Sequence, residues 1–407
     1  MRMLTIIVLL ICLSSLSNVE AKSYTVSNTK GVTSFPFSIY NNIIIVDVLV
    51  NQSKTLKFIF DSGCKSTIVI KPHWIDSFTV DLKQKVYFVG LGLNDSIETV
   101  KMNNSTLQLG DLTAKEIPIY LLSKDTLNLD TYLGTEVDGI FGAEIFEKFY
   151  VHINYKTRLI ELYTKKPAKK IKSKYSSIPV SIRNSKGYAN CVIMNANNSI
   201  FEAELLFDTG ANIPIIIKNK EPQDLQIEKF IDAEIGNGLA GAMYSKVCRV
   251  KKIFLDTFKF AQVVTAFSET PITVKDIDEN TLDGNIGNDI LSRFDMYFAY
   301  PENKVYLKTN KYYDDEFEFN ISNIILLENR TKNNGFIVKS IATNSPPLLA
   351  GLQIGDEIIK IESYKAEHLK LEEALALLNR KFGKNITIQL LRNNVVHKIS
   401  YKLISII

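Results

Sequence analysis

The 407-residue sequence has few of the residues that mark several protein classes. Its 4 Cys exclude a small disulfide scaffold, and its 19 Gly and 11 Pro exclude collagen-like and low-complexity chains. The 48 Lys and Arg nearly balance the 44 Asp and Glu, so the formal charge of +4 indicates no nucleic-acid partner. The 4 His are scattered without zinc-site spacing, and no metal is predicted. A chain that is 46% hydrophobic remains, long enough for two or three core-forming domains.

Beyond its first residues the sequence lacks a hydrophobic run long enough to cross a membrane, which takes about 20 residues. Residues 1–21 are typical of a secretory signal peptide, with Arg2 as the positive start, Leu4 to Leu13 as a short apolar run and Val19-Glu20-Ala21 as a cleavage site. An uncleaved anchor is the alternative. We expect an exported protein, periplasmic or extracellular, with no membrane span after signal removal.

Three cysteines follow the predicted signal peptide: Cys64, Cys191 and Cys248. An odd number leaves at least one thiol unpaired in an exported protein. Cys191 and Cys248 could form a disulfide, and the sequence leaves that question open. Disulfides are therefore not expected to be the main framework of the fold.

Three short motifs occur twice, in the same order and at nearly the same spacing. Asp61, for example, is followed by its counterpart Asp208 147 residues later. This period is far too long for a solenoid unit, so each repeat is expected to be a lobe of domain size. The motif pairs are Phe58-Ile59-Phe60-Asp61-Ser62-Gly63 with Leu205-Leu206-Phe207-Asp208-Thr209-Gly210, Val89-Gly90-Leu91-Gly92 with Ile235-Gly236-Asn237-Gly238, and Asp138-Gly139-Ile140-Phe141-Gly142 with Asp283-Gly284-Asn285-Ile286-Gly287.

Within each lobe the sequence predicts strands far more than helices, because β-branched and aromatic residues dominate the apolar runs. Short helices are expected only after the last repeated motif, over 143–149 and 288–294. The lobes are therefore predicted to be mostly β. The clearest strand runs are Tyr40 to Val50, Leu56 to Phe60, Thr67 to Ile70 and Ile213 to Ile217.

Each lobe carries one Asp, Asp61 or Asp208, at the end of an apolar strand and before a small hydroxyl residue and Gly. The Gly allows a sharp turn, and the strand is a rigid mount for a catalytic group. If a pseudo-twofold axis relates the lobes, the two carboxylates meet and share a proton, because the second charge must form beside the first. One carboxylate can then act as base on a water while the other donates to a carbonyl. This chemistry hydrolyses a peptide bond without metal, cofactor or covalent intermediate.

These motifs resemble those of the aspartic peptidases over about residues 35 to 310. The apolar–apolar–Asp–Thr/Ser–Gly signature occurs at Asp61 and at Asp208, and the family's second signature occurs as Ile140-Phe141-Gly142. The resemblance implies that Asp61 and Asp208 are catalytic. It also implies that the residues after them support the active-site loops, with Ser62 and Thr209 cross-bonding the two loops. The loop-support residues are Ser62, Gly63, Thr209 and Gly210.

Two features depart from the pepsin-like pattern. Asn285 stands where the second signature has an apolar residue, and we expect it to change the packing of the second lobe without touching the carboxylate. Cys64 and Ala211 replace the Ser that hydrogen-bonds each carboxylate in pepsin-like enzymes, which is closer to the retropepsin-like pattern. Losing a hydrogen bond to the charged form should raise the pKa values of the pair. Activity is therefore expected at mildly acidic to neutral pH.

The remaining repeated motif resembles the flap of these enzymes, a hairpin that closes over the substrate and excludes water. Such hairpins are predicted within 86–102 and 233–250. Whether one or both would act as flaps stays open. The candidate substrate contacts are Gly90, Gly92, Gly236 and Gly238.

The C-terminal part, about residues 318 to 407, resembles bacterial PDZ domains. The recurring string is Ser345-Pro346, then Ala350-Gly351-Leu352, then Gly355-Asp356. Such domains can take a peptide C-terminus by adding it as a strand beside a helix. Residues 320–324 stand where a Gly-rich carboxylate loop would be, so peptide capture and a structural or regulatory docking role both stay open. The predicted elements are strands over 335–338, 386–391 and 395–403, a turn over 344–347, and helices over 348–352 and 369–381.

The sequence thus predicts a mainly β, bilobal aspartic-peptidase fold followed by an α+β PDZ-like domain. The predicted function is an exported aspartic endopeptidase acting on protein or peptide substrates. The alternative is a catalytically silent peptide-binding scaffold of the same fold. A Cys–His peptidase using Cys64 and His73 lacks a third orienting group. The predicted divisions are a signal peptide (1–21), an N-terminal lobe (22–164), a solvated linker (165–178), a C-terminal lobe (179–312) and the PDZ-like domain (318–407).

Overall fold

A computed structural model describes most of the chain after the predicted signal peptide, which lies outside the described residues. The described parts are mostly strand and form four sheets. Among them, no helix is both long and apolar enough to cross a membrane. The described residues are 23–75, 78, 85–88, 97–125, 127–171, 174–218, 220–238, 241–268, 283–317, 320–329, 335–379 and 382–407.

The strands and helices follow the chain in three blocks. The first block is β1 (Ser23–Val26), β2 (Val32–Pro36), β3 (Ser38–Tyr40), β4 (Ile43–Val50), β5 (Lys54–Phe60), β6 (Thr67–Val69), β7 (Lys85–Phe88), β8 (Ile97–Leu109), β9 (Leu112–Leu122), α1 (Leu129–Leu133), β10 (Gly139–Phe141), α2 (Glu144–Lys148), β11 (Tyr150–Asn154) and β12 (Leu159–Tyr163). The second block is α3 (Ala168–Ile171), β13 (Ser176–Pro179), β14 (Ser181–Arg183), β15 (Lys186–Met194), β16 (Ile200–Phe207), β17 (Ile215–Ile217), β18 (Ile231–Gly238), β19 (Gly241–Leu255), β20 (Phe258–Ser268), β21 (Gly284–Ile286), α4 (Asn288–Leu291), β22 (Phe294–Ala299) and β23 (Lys304–Thr309). The third block is β24 (Ile324–Glu328), β25 (Phe336–Ile341), α5 (Pro346–Leu349), β26 (Glu357–Ile361), β27 (Tyr364–Lys365), α6 (Leu371–Leu378), β28 (Asn385–Arg392) and β29 (Val395–Lys402).

The first lobe is built on a nine-stranded sheet in the order β1-β9-β6-β10-β5-β4-β8-β7, with β3 on β4. Its central strands are the apolar runs that the sequence predicted. The predicted run from Tyr40 to Val50 is divided, however, at Asn41 and Asn42. Both have left-handed backbones, with φ of 45° and 65°, and they turn the chain from β3 into β4. Asn adopts this conformation more readily than most residues, which explains the break.

The second lobe repeats this arrangement in an eight-stranded sheet ordered β14-β15-β16-β21-β17-β20-β19-β18. In both lobes the strand of the last motif, β10 or β21, lies parallel to the strand that ends in Asp and antiparallel to the next one. The short helices α2 and α4 follow these strands where they were predicted. The mostly β character of both lobes is therefore confirmed.

A third sheet joins the lobes, and the sequence motifs did not predict it. Its order is β13-β23-β22-β11-β12-β2, so each lobe supplies three strands. At its centre β11 pairs antiparallel with β22, which places Val151 opposite Phe298 and Asn154 opposite Asp295. One continuous hydrophobic core extends through both lobes beside this sheet. The lobes are therefore held at a fixed angle by backbone hydrogen bonds as well as by packing.

The predicted linker over 165–178 is exposed at most of its described residues, but parts of it are fixed against the two lobes. Ile171, in α3, is buried, and β13 begins within the predicted linker and pairs with β23. Lys166 lies 2.6 Å from a carboxylate oxygen of Glu302, and Lys170 lies 3.0 Å from one of Glu161. The basic run therefore neutralises carboxylates of the two lobes that it connects.

His152 connects the two lobes at the centre of the interlobe sheet. Its Nδ1 lies 2.7 Å from Glu161 and its Nε2 lies 2.5 Å from Asp295, and its ring stacks on Tyr297. Burial alone would lower the pKa of His152, but hydrogen bonds and charge interactions with the two carboxylates outweigh burial and raise it. The same contacts lower the pKa of Glu161 to about 2 against the opposing effect of burial. The imidazolium form is therefore favoured between the lobes.

We expect this cluster to make the stability of the lobes depend on pH. A raised His pKa contributes stability below the unfolded value, about 6.5, and this contribution is lost as pH rises through the folded pKa. The free energy of unfolding should therefore fall between pH 6 and pH 9 more in the parent than in His152→Phe, which keeps the ring but cannot titrate. Urea unfolding at the two pH values measures this difference. His397→Phe, on exposed β29, is the control and should behave as the parent.

The fourth sheet, ordered β24-β25-β26-β28-β29 with β27 on β26, has a separate hydrophobic core. Helix α6 covers β24 and β26. The bounds of both predicted helices change here. Helix α5 begins at Pro346 instead of 348, because Pro suits the first helical position, and α6 is shorter at both ends than the predicted 369–381. Phe317, just before this sheet, still belongs to the core of the two lobes.

Candidate active site

Crossed hydrogen bonds hold the two Asp-bearing loops together at the lobe junction. Ser62 Oγ donates to the carbonyl of Phe207 at 2.7 Å, and Thr209 Oγ1 donates to that of Phe60 at 2.6 Å. Each hydroxyl also accepts the other residue's backbone N–H, at 2.9 and 3.0 Å. Both side chains are fully buried. The structure therefore places Ser62 and Thr209 where the motif implied cross-bonding, and each satisfies groups of the opposite lobe.

This clamp brings Asp61 and Asp208 against each other's glycines. A Cβ atom added to Gly63 would lie 2.6 Å from Asp208 Oδ1, and one added to Gly210 would clash with the carboxylate of Asp61. Any residue larger than Gly would therefore displace the carboxylate of the other lobe. Each carboxylate thus lies directly beside the glycine of the opposite loop. The absence of a side chain at these two positions is what allows the pair to form.

The loop backbone stabilises one oxygen of each carboxylate. Asp61 Oδ1 accepts the N–H groups of Gly63 at 2.6 Å and Cys64 at 3.2 Å. Asp208 Oδ1 accepts the N–H of Gly210 at 2.9 Å. Burial and the neighbouring charge of Asp208 raise the pKa of Asp61 to about 8, against the opposing effect of its backbone hydrogen bond. The pair therefore holds a proton to higher pH than an isolated carboxyl group does.

Asn285 contacts the active site, which corrects the expectation that it would leave the carboxylate untouched. It lies on β21 and is 3% exposed, and its Nδ2 donates to Asp208 Oδ2 at 2.5 Å. The equivalent residue in the first lobe, Ile140, has no hydrogen-bond donor in its side chain. The break in the repeat at this position was the signal that could have identified Asn285, because its strand runs beside the strand that ends in Asp208.

Asn288, predicted only as the start of a helix, supports the second loop. Its Nδ2 donates to the carbonyl of Thr209 at 2.6 Å, and its Oδ1 accepts the hydroxyl of Tyr155, from the first lobe, at 2.6 Å. Its backbone N–H also donates to Ala211, as Ala143 does to Cys64 in the first lobe. The sequence offered little signal for this role, because Asn at a helix start is common.

Cys64 does not form a nucleophilic pair with His73. Its thiol donates to the carbonyl of Ser66 at 3.3 Å. Burial, and then the negative charge of Asp61, raise the pKa of the Cys64 thiol to about 12, so the reactive thiolate is disfavoured. The ring of His73 packs on Trp74. Among the described residues, Cys191 and Cys248 are likewise free and buried.

Each lobe carries a pair of strands where a flap hairpin was predicted. In the first lobe β7 pairs with β8, but Gly90 and Gly92 lie outside the described residues. In the second lobe β18 pairs with β19, placing Gly236 opposite Met243 and Gly238 opposite Gly241. The register shifts between Glu234 and Gly236. The described residues therefore contain the two strands of the second hairpin and the base of the first, and positions 239–240 between those two strands lie outside them.

The loop before β24 is closed by its own side chains. Asn320 Oδ1 accepts the N–H of Ser322 at 3.1 Å, and Asn323, with φ of 59°, donates to the carbonyl of Ile404 at 3.0 Å. Asn323 therefore provides a left-handed turn in the segment that stands where a Gly-rich loop would be.

Two protein-family models match separate parts of the chain. An aspartyl protease family model matches residues 46–145, and a PDZ domain model matches residues 324–403. The chain is also similar to the crystal structure of an aspartic proteinase from Irpex lacteus, with 14% identity and a TM-score of 0.44, over 70% of this chain and 99% of that one. No curated protein matches the chain. The chain therefore carries an aspartyl protease domain followed by a C-terminal PDZ domain.

Proposed function

We propose that the protein is an exported aspartic endopeptidase that hydrolyses peptide bonds with a water activated between Asp61 and Asp208. The observation that carries this proposal is the meeting of one carboxylate from each lobe within a buried clamp. Export is supported by the signal-like residues 1–21 alone. The PDZ domain is proposed to dock a substrate or partner.

The dyad holds one proton in the reactive state, because two carboxylates in contact resist carrying two charges. The ionised carboxylate takes a proton from the water as the water oxygen attacks the substrate carbonyl carbon. The protonated carboxylate donates its proton to the carbonyl oxygen. When the tetrahedral intermediate collapses, the C–N bond breaks and the nitrogen takes the dyad proton, while one hydroxyl of the intermediate returns its proton to the dyad as the C=O bond re-forms. The net reaction adds one water across one peptide bond.

The two hairpins give the site a way to bind a peptide in extended form. Strand β18 and its partner β19 form the described hairpin of the second lobe, and β7 and β8 form the base of the first. A hairpin that closes over the dyad would exclude bulk water and bind the substrate backbone. The proposed substrates are therefore proteins or peptides, recognised mainly through their main chain.

A broad peptide library tests the proposal. The full chain after Ala21 is incubated with the library between pH 3 and pH 9, and products are identified by mass spectrometry. The proposal expects cleavage of internal peptide bonds without added metal. A chain that is folded by circular dichroism yet cleaves nothing across this range would support the alternative, a peptide-binding scaffold of the same fold.

We expect the activity to be lost as pH rises through about 8, because Asp61 then loses the proton it must donate. Cys64→Ser places a hydroxyl donor beside the ionised carboxylate of Asp61, favours that form and should shift this basic limb to lower pH. The pH dependence of kcat/KM in parent and variant measures the shift. An optimum near pH 2, or an unchanged basic limb in Cys64→Ser, would contradict the assignment.

A further inference from the structure

Both carboxylates accept backbone N–H groups at Oδ1, two at Asp61 and one at Asp208, but among the described contacts only Asp208 has a side-chain donor at Oδ2. Asp208 Oδ2 accepts a hydrogen bond from Asn285, whereas Asp61 has the apolar Ile140 at the equivalent place on β10. The Oδ1 atom of Asn285 is buried without a hydrogen-bond partner, so the contact with Asp208 fixes the orientation of the amide. A hydrogen bond to the charged form of a carboxylate favours that form. The pseudo-twofold symmetry is therefore broken at the carboxylates themselves.

We propose that Asn285 is a positioning residue that makes Asp208 the ionised base and leaves the shared proton on Asp61. The amide donor partly compensates the negative charge on Asp208, and no equivalent donor reaches Asp61 from Ile140. Asp208 then takes the proton from the water, and Asp61 donates to the substrate carbonyl. This assignment of roles rests on the proposed function, whereas the location of the proton does not.

Carboxyl ¹³C NMR of Asp-labelled protein at pH 6 locates the proton without any substrate. In the parent we expect the Asp61 signal at the protonated position and the Asp208 signal at the ionised one. In Asn285→Ile, which gives the second lobe the residue of the first, the pair becomes nearly symmetric and the proton occupancy of Asp61 should fall to about half. Adding Ile140→Asn to this variant should move the proton to Asp208.

An unchanged proton distribution in Asn285→Ile would overturn the proposal. If that variant does not fold, Ile140→Asn alone tests the proposal in the first lobe. An amide donor beside Asp61 should favour the ionised form of Asp61 and so move the proton to Asp208. An unchanged proton distribution in Ile140→Asn would likewise overturn the proposal. A parent that shows this asymmetry but cleaves no peptide would contradict the proposed function alone.

A separate set of contacts links the PDZ domain to both lobes. Helix α1 is anchored in the first lobe by buried Leu133 and by Lys71, whose Nζ lies 2.6 Å from Asp130 and 2.9 Å from Asp125. The helix lies against β24, the edge strand of the PDZ sheet among the described residues. A peptide ligand would add to this edge, beside α6. Helix α1 therefore stands next to the strand that a ligand would pair with.

A peptide that pairs with β24 would occupy the groove between β24 and α6. Gly134, which ends α1, closes one end of that groove. A Cβ atom added there would lie 2.7 Å from Leu371 Cβ, at the start of α6, and 3.2 Å from Glu328 Oε1, at the end of β24. A peptide whose carboxylate sits in the loop before β24 leaves the groove at the opposite end, past these same residues. The first lobe and a bound peptide would therefore compete for the same space.

The same helix contacts the hairpin of the second lobe. Tyr132 donates to Glu234 Oε1 at 3.0 Å, and Lys339, on β25 of the PDZ domain, lies 4.0 Å from Glu234 Oε2. The Glu234 side chain is 3% exposed and belongs to β18. Glu234 is thus the point at which the first lobe, the hairpin and the PDZ domain meet.

We infer that opening the PDZ groove loosens the second-lobe hairpin, because both depend on the position of α1. A peptide that enters the groove displaces Gly134, moves Tyr132 and weakens the contacts that hold Glu234. The consequence for substrate binding rests on the proposed function, whereas the mechanical link does not. The PDZ domain would then regulate the hairpin in addition to docking a partner.

Hydrogen exchange of the full chain tests this link without substrate. Gly134→Leu forces a side chain between α1 and α6, and the amides of β18 and β19 should exchange about fivefold faster, as expected for losing one hydrogen bond. Gly383→Leu is the matched control, because Gly383 also has positive φ, at 79°, but a Cβ atom added there would meet no atom within 4 Å. This control should leave the hairpin unchanged.

Lys339→Met provides a second route that does not disturb packing, and Lys339→Arg should restore the parent rate because it keeps the cation. Lys365→Met, on the exposed β27 of the same domain, controls for loss of a positive charge. The inference is overturned if hairpin exchange in both Gly134→Leu and Lys339→Met equals that of the parent. If Gly134→Leu does not fold, an unchanged rate in Lys339→Met alone overturns it.

Discussion

Asp208→Asn is expected to lower kcat/KM by about four orders of magnitude, and Asp61→Asn by a similar factor. An amide has the size of a carboxylate and its oxygen can still accept the Gly210 N–H. It cannot, however, take a proton from water, and it cannot share a proton with the remaining carboxylate. The loss should appear in kcat with KM little changed, because the substrate main chain is bound elsewhere. Steady-state kinetics on one peptide selected from the library measures both parameters.

Asp47→Asn is the matched control, because Asp47 is an exposed residue on β4 in the same lobe as Asp61. It should keep kcat/KM within about twofold of the parent, as a surface substitution does. Retention of more than a tenth of the parent activity by either dyad variant, in a protein folded like the parent, would place the chemistry elsewhere. Thermal unfolding of each variant distinguishes loss of chemistry from loss of structure.

Thr209→Val should destabilise the lobe junction by about 2 to 4 kcal/mol and also reduce kcat. The Thr209 hydroxyl donates to Phe60 and accepts from Ser62, both in the other lobe. Valine has the same shape but leaves these two buried groups without partners, and each unsatisfied group costs about 1 to 3 kcal/mol. The activity falls because the loops no longer hold the carboxylates at a fixed separation. Urea unfolding measures the stability change.

Thr265→Val separates this effect from the general cost of removing a buried hydroxyl. Thr265 is equally buried, but its hydroxyl donates only to Val263 in its own strand, at 3.3 Å. It should cost about 1 kcal/mol or less and leave kcat unchanged. Thr209→Ser keeps the hydroxyl and should recover most of the parent's stability. Equal destabilisation by the two valine substitutions would show that the clamp has no special role.

The internal repeat made the larger part of the fold predictable. A strand that ends in Asp, a hydroxyl residue and Gly is a local pattern, and its recurrence 147 residues later predicted two lobes, with the short helices α2 and α4 after the last repeated motif. The proximity of Asp61 and Asp208 followed from pseudo-symmetry alone. A local pattern is encoded in neighbouring residues, and its recurrence can be seen by comparing two parts of the same chain. A single sequence therefore reveals both.

Contacts that break the repeat were harder to predict. Asn285 was expected to affect packing alone, since the sequence does not show which neighbour its amide reaches across the strand pair. The pairing of β11 with β22 joins lobes that are distant in sequence, and neither strand carries a distinctive motif. The junction at Glu234 depends on three parts of the chain at once. Such contacts depend on how elements are placed in space, and spacing along the chain gives no measure of that.

The measurement that tests the central claim most directly is the titration of Asp61 by carboxyl ¹³C NMR in the parent and in Asp208→Asn. The central claim is that the two carboxylates form one coupled pair across the lobe junction. It predicts a pKa for Asp61 of about 8 in the parent, and a clearly lower value once the charge of Asp208 is removed. An Asp61 that titrates near 4 in the parent, or whose pKa is the same in Asp208→Asn, would show that the two carboxylates do not act as a pair.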